Sequence, residues 1–199
     1  MQAVPSFWSC PPLWRGETAF LLAGGYSLRG FDASILAGRK VVAVKESCLL
    51  APWAPIMFFA DNCWFERERD LIDGFAGEVI SVSAASRASP KCKVMRRGPR
   101  TGLADAPDTL AGSWTSVHFA IDLLNHLGVA RIGLLGVDLL GGRWHDRNPI
   151  PPNSENFVHM RDALASTAAP LAVAGVEVFN CSPGGVLEIW PRIKLEALL

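Results

Sequence analysis

The chain has 199 residues, half of them hydrophobic, and its 19 basic and 19 acidic residues cancel to a formal charge of zero. A chain of this length buries roughly 70% of its unfolded surface and needs no covalent staples. Charge balance leaves no overall field for nucleic acid, an anionic membrane or an acidic substrate, so general nucleic-acid binding is not expected and any anion has to be bound locally.

Residues 1–17 carry Pro5, Pro11 and Pro12 beside Trp8 and Trp14. They read as an irregular lead-in that packs on a sheet edge, and they lack the basic start and apolar stretch of a secretory signal. Residues 19–23 (AFLLA) are a continuous apolar run closed by Gly24-Gly25, the pattern of a strand covered on both faces and ended by a tight turn. Ser27 is placed to cap a short helix that ends at Gly38. Residues 41–44, 56–60 and 79–82 repeat the buried-strand pattern, and residues 64–72 have helical spacing.

Between residues 83 and 112 the sequence turns basic and irregular, with Lys91, Lys93, Arg96, Arg97 and Arg100 among Pro90, Pro99 and Pro107. A flap or lid over 84–111, or a β excursion, is one reading, and a solvated loop is the other. Ser113 or Thr115 then caps a helix whose stripe is Val117, Ala120, Ile121, Leu124 and Leu127, stopped by Gly128. Residues 132–135 form a strand ending in Gly136-Val137-Asp138. A Gly- and Pro-rich loop, a helix over 156–174 and a strand over 176–180 complete the chain. Strands alternating with helices predict an α/β fold: one Rossmann-like domain over residues 1–199, with a mostly parallel sheet, helices on both faces and a ligand crevice beyond the strand carboxyl ends.

No apolar run reaches the roughly 18 to 20 residues of a membrane span. The five cysteines are an odd, scattered set without a C-x-x-C pair, which fits reduced thiols better than a disulfide framework or a zinc knuckle. A cytoplasmic protein is expected, and a homo-oligomer is compatible with this composition.

Five groups are placed to carry chemistry at the predicted rim. Gly24, Gly25, Tyr26 and Ser27 follow the first strand, where free N–H groups suit a phosphate or a nucleotide edge; a plain β-to-α turn is the alternative. Asp61-Asn62 follows the third strand, as a receiver of ribose hydroxyls or a divalent ion, or as a helix cap. Asp138 follows the Gly136 strand, at the same rim or as a loop-ordering carboxylate. His145, in Arg143-Trp144-His145-Asp146-Arg147, has the chemistry of a general acid or base, with Arg143 beside it for phosphate oxygens; a solvated loop histidine is the alternative. Asn180 and Ser182 flank a last glycine turn, suited to a base or sugar edge. His118, His126 and His159 sit on predicted helices without metal-ligand spacing, so no zinc site is expected.

The segments LLAGGYSLRGFDASIL, KVVAVKESCLLAPWA, MFFADNCWF, RIGLLGVDLLGGRWH and GVEVFNCSPGGVLEIWPRIKLEAL, in this order, resemble phage- and prophage-associated proteins of the DUF115 (MptE-like) Rossmann family. They are more distantly similar to bacterial sialyltransferases of the campylobacter type. The resemblance implies a bacterial or phage-infected host cell, and a glycosyltransferase-like enzyme with a nucleotide-sugar donor and a hydroxyl acceptor. In it His145 matches the histidine that activates the acceptor, and the residue after strand two, Lys45, joins the nucleotide site. Tyr26 stands where relatives have proline, and Lys45 where they have asparagine. The same resemblance leaves open a diphosphokinase of MptE type, with magnesium held by Asp61 and Asp138, and a non-catalytic nucleotide-binding or scaffold protein.

Overall fold

The computed structural model describes residues 7–147, 155–182 and 184–199. Its strands are β1 (Thr18–Leu22), β2 (Lys40–Val44), β3 (Ile56–Phe59), β4 (Glu78–Ser81), β5 (Cys92–Val94), β6 (Arg96–Arg97), β7 (Thr109–Leu110), β8 (Arg131–Leu135) and β9 (Glu177–Asn180). Seven of them form one sheet in the order β5-β4-β3-β2-β1-β8-β9 with every pairing parallel, and β6 and β7 make a separate parallel pair. The fold is α/β and Rossmann-like.

The continuous apolar runs are explained by cover on both faces. Alternate residues of the same strand face different cores: Leu21, Val42, Phe58 and Leu134 on one side, Phe20, Val41, Met57 and Leu135 on the other. The helices α1 (Asn62–Arg67) and α2 (Arg69–Gly74) bury Trp64, Phe65 and Ile72 in the second core. The helices α3 (Ser116–His126) and α4 (Glu155–Val173) bury Phe119, Leu123, Leu164 and Leu171 in the first. Strands β2 to β5 extend the sheet from β1 in one direction, and β8 and β9 extend it in the other. Connections leaving β1 and β8 therefore diverge, and a crevice opens between their carboxyl ends.

Three local expectations change. The segment after β1 is two 3-10 turns, Tyr26–Leu28 and Ala33–Leu36, and Ser27 caps neither; Asp32 accepts from Ser34 N at 2.9 Å instead. Ser27 is drawn away to Asp138, as described below. Residues 64–72 are not one helix, because the chain breaks at Glu68, whose side chain is buried. Residues 84–111 hold the edge strand β5 and the β6–β7 pair, with Met95 fully buried between them. Their basic residues meet the aromatic lead-in: Arg87 and Arg96 lie 4.5 and 4.4 Å from the Phe7 ring centroid, and Lys93 lies 5.1 Å from that of Trp8. Trp8 N also donates to Val94 O at 2.8 Å, so this lead-in runs along the sheet edge.

All five cysteines are free. No helix of the described residues is long and apolar enough to cross a membrane. Helix α3 starts at Thr115, whose Oγ1 accepts from Val117 N at 3.2 Å.

Inside α3, Asp122 is fully buried and accepts from Ala111 N at 2.7 Å and Ala104 N at 3.1 Å, fastening the segment before the helix to it. Burial pushes its carboxyl up to about 7, against the lowering effect of those amides. A raised folded value means that the folded state holds more protons than the unfolded one, so this contribution is complete below the unfolded value and fades as pH rises through about 7. Asp122→Asn keeps an acceptor oxygen and removes the titration. Urea unfolding at steps from pH 4 to 8 is expected to show the variant losing less stability than the wild type over that rise, by on the order of a few kcal/mol.

Candidate functional site

The turn after β1 is shaped by what lies against it. Gly25 N donates to Gly136 O at 2.8 Å, and a Cβ at Gly25 would sit 2.4 Å from that oxygen and 2.5 Å from Asp138 Oδ2. Only glycine lets the β1 and β8 turns come this close. Asp138 is 3% exposed and uses both carboxylate oxygens on Ser27: Oδ2 accepts from the backbone N at 2.7 Å, and Oδ1 from Oγ at 2.6 Å. Gly185, at φ +98, closes the third side, where a Cβ would meet Asp138 Cα at 2.6 Å. Asp138 is thus a clamp joining the turns after β1 and β8, and as a catalytic acid or base it is already engaged.

Beyond these turns opens a cavity of ≈ 380 Å³. It is walled by Gly24 and Gly25 from β1, Lys45 and Glu46 from β2, Asp61 from β3, and Gly136 to Asp138 from β8. Arg143 and His145 come from the loop after β8, and Thr115 and Ser116 from the start of α3. Gly24, Gly25, Lys45, Asp61, Asp138, Arg143 and His145 therefore converge.

The other predicted residues do not line it. Tyr26 is half exposed outside the wall. Asn62 Oδ1 accepts from Ser83 Oγ at 2.6 Å and orders the turn after β4. Asn180 is fully buried, donates to Leu187 O at 3.0 Å and accepts from Ser182 N at 3.0 Å. Ser182 Oγ accepts from Val137 N at 3.3 Å. These two side chains knit β9 to the β8 turn by hydrogen bonds inside the fold.

Lys45 adopts φ +56, rare for a non-glycine residue, and its ammonium pairs with Asp61. That backbone reversal carries the next side chain, Glu46, inward to 5% exposure. Glu46 Oε1 accepts from Arg67 at 3.0 Å, Arg67 Nε donates to Glu68 Oε1 at 2.8 Å, and Arg147 donates to Glu68 Oε2 at 2.8 Å. Burial alone would raise Glu68, but the two arginines hold its carboxyl below the ordinary range. No motif marks this network in the sequence, since its members, Glu46, Arg67-Glu68 and Arg147, lie on three separate segments.

His145 has a side chain only 6% exposed, with Nε2 3.7 Å from Glu46 Oε2. Its Nδ1 is buried and has no hydrogen-bond partner among the described residues. Burial depresses its pKa below the ordinary histidine value, Glu46 pulls it up, and Arg143 and Arg147 push it down, with a net lowering. A neutral imidazole with an unpartnered nitrogen, on a residue that lines the cavity, is equipped to accept a proton at neutral pH from a ligand that reaches that nitrogen. Ser116 Oγ is likewise buried and unpartnered among the described residues, at the N-terminus of the 11-residue α3. Trp114 precedes it at φ +60 and stacks on His159, with centroids 4.4 Å apart.

Both carboxylates are engaged within the protein: Asp61 pairs with Lys45, Asp138 accepts two hydrogen bonds from Ser27, and the described residues contain no group of three or more His, Cys, Asp or Glu placed to hold a metal ion. Cys181 is buried, which pushes its thiol up to about 11 and keeps it from serving as a thiolate.

No protein-family model and no curated protein sequence matches the chain. Among solved structures, the sialyltransferase CstII from Campylobacter jejuni, in complex with the substrate analogue CMP-3FNeuAc, aligns over 89% of this chain and 86% of its own. The TM-score is 0.54 at 11% sequence identity. A short-chain oxidoreductase from Pseudomonas aeruginosa PAO1 with an atypical catalytic center aligns over 82% of this chain and 68% of its own, with a TM-score of 0.30 at 15% identity. The first likeness supports the fold. The link to phage and DUF115 proteins has no counterpart among these matches.

Gly25→Ala tests the clamp. The added methyl has backbone on one side and the Asp138 carboxylate on the other, so relief requires parting β1 from β8 or breaking the Ser27 bonds. Urea denaturation is expected to show a loss of about 2 to 4 kcal/mol, from overpacking together with the lost charge-assisted bonds.

Proposed function

We propose that the chain is a glycosyltransferase-like enzyme that binds a nucleotide-linked sugar in the cavity between β1 and β8 and transfers the glycosyl group to a hydroxyl acceptor. One observation carries this reading: two buried polar atoms without partners among the described residues, His145 Nδ1 and Ser116 Oγ, belong to residues that wall the same cavity. Buried polar atoms are nearly always satisfied, so this unpaired pair on residues of one cavity supports a ligand whose binding uncovers them and supplies a donor to one and a polar partner to the other.

The roles follow from the chemistry. The glycine turn lets the nucleotide approach the backbone between β1 and β8. The start of α3, with its free N–H groups, positive dipole end and the Ser116 hydroxyl, suits a phosphate or a sugar carboxylate. Arg143 on the opposite loop and Lys45, once released from Asp61, oppose the charge that gathers on the leaving phosphate. In the transfer the bond from the sugar carbon to the phosphate oxygen breaks, the acceptor oxygen bonds to that carbon, and the acceptor proton passes to His145 Nδ1 and on to solvent. The fold shared with CstII, whose complex holds a CMP-linked sugar analogue, makes CMP-linked acidic sugars the first donors to examine.

A thermal-shift screen of nucleotides and nucleotide sugars tests binding. A donor at a hundred times its Kd is expected to stabilise the fold by about 2.7 kcal/mol. With that donor, His145→Ala is expected to lower transfer about 10²- to 10⁴-fold while still binding it, and Ser116→Ala to weaken donor binding about tenfold. Absence of any shift across the panel, or unchanged turnover in His145→Ala, overturns the proposal.

A further inference from the structure

We infer that Glu46 is a positioning residue for His145, holding the imidazole as the Nε2–H tautomer so that the lone pair lies on Nδ1, the ring nitrogen left without a partner among the described residues. The inference rests on the transfer reading given above, in which His145 takes the acceptor proton.

The geometry begins at Lys45. With φ at +56 the backbone turns back on itself as it leaves β2, and the side chain of Glu46 is buried beside the loop that follows β8. Its Oε2 faces His145 Nε2 at 3.7 Å. A carboxylate at that distance attracts an N–H and repels a lone pair, so the proton of the neutral ring belongs on Nε2. The other nitrogen, Nδ1, then carries the lone pair, and it is the buried atom without a partner among the described residues. When the ring takes a second proton, the imidazolium forms beside a carboxylate, which lowers the cost of that step.

The carboxylate is itself held. Arg67 bonds Glu46 Oε1 at 3.0 Å and Glu68 at 2.8 Å, and Glu68 bonds Arg147 at 2.8 Å. His145 and Arg147, two residues apart in one loop, thus face two carboxylates joined by one guanidinium. This fixes the loop and limits the rotation of the ring. The charged groups acting on His145 are Glu46 from the β2 turn and Arg143, Asp146 and Arg147 from its own loop. Of these, Glu46 and Asp146 favour the protonated ring and the arginines oppose it.

The test reads the ring and not turnover. ¹⁵N NMR of the labelled full chain, with His145 resonances identified by their loss in His145→Gln, gives tautomer and titration midpoint together. The wild type is expected to show protonated Nε2 and unprotonated Nδ1 at neutral pH. In Glu46→Gln the midpoint is expected to fall by about one pH unit or more, because an opposite charge within about 4 to 6 Å is removed. Glu46→Asp is expected to recover part of that shift. A wild-type ring protonated on Nδ1, which needs no variant to detect, overturns the inference, as does a midpoint that stays put in a folded Glu46→Gln. With a donor in hand, kcat of Glu46→Gln is expected to fall about 10- to 100-fold with the donor KM unchanged; an unchanged kcat counts against the role. A wild type with the expected tautomer and no transfer to any acceptor overturns the transferase reading while leaving the Glu46–His145 arrangement standing.

Discussion

One buried carboxylate organises the carboxyl side of the sheet. Asp138 receives two hydrogen bonds from Ser27 across the junction of β1 and β8, where the order of strands changes direction. In a doubly wound sheet the two loops at this junction diverge, and past the last backbone bond, Gly25 N to Gly136 O at 2.8 Å, no strand pairing holds them at a fixed separation. A carboxylate accepting a backbone N–H and a hydroxyl at 2.7 and 2.6 Å does. The glycines at 25 and 185 follow from this clamp, since a Cβ at either would lie within 2.6 Å of an Asp138 atom. The cavity is then the space left beyond a fixed floor, and its walls are the residues that follow each strand.

This division of labour explains which parts of the architecture were legible in the sequence. Continuous apolar runs such as AFLLA and RIGLL reveal strands covered on both faces, and the glycines that end them reveal where each strand stops. Parallel alternation then places the residues after Ala23, Val44 and Leu135 at a common rim, and the structure gathers Gly25, Lys45, Asp138 and His145 there. What the pattern does not carry is the partner of each side chain. Ser27 reads as a helix cap and instead bridges 111 positions of sequence to Asp138. Asn180 and Ser182 read as a ligand edge, but the segment after β9 folds back to take up the Asn180 amide, and Val137 N in the turn after β8 donates to the Ser182 hydroxyl. Glu46 carries no signal in the sequence, because a glutamate after a strand normally points to water. Only the reversed φ of Lys45, which sequence preference disfavours, turns it inward.

The basic stretch of residues 91–100 was opaque for a related reason. Its charges have no acidic counterpart nearby in sequence. Lys93 pairs with Glu78 and Arg96 with Asp108, and the cations also lie on aromatic faces: Phe7 between Arg87 and Arg96, Trp8 under Lys93, and Phe119 under Arg97. Cation–π contacts of about 0.5 to 2 kcal/mol each let a Pro-rich aromatic lead-in and a basic edge strand cover one another. The exposed edge that a short parallel β5 would otherwise present is closed where Trp8 N donates to Val94 O.

The Lys45–Asp61 pair is the part of the cavity wall that yields most easily. Its side chains are 29% and 45% exposed, and an ion pair so close to water contributes at most about 1 kcal/mol. The carboxylates of Asp138, Glu46 and Glu68 are buried although Arg67 is about a third exposed, so removing their partners strands a charge in a poor solvent at a cost of several kcal/mol. A phosphate arriving at the rim therefore meets a wall with one soft element. It can take the ammonium from Asp61 for little cost, leaving that carboxylate half in water, while the groups that set the position of His145 stay where they are. Under the proposed function, a donor phosphate displaces Asp61 from Lys45, and the cavity then favours ligands whose negative charge offsets that exchange.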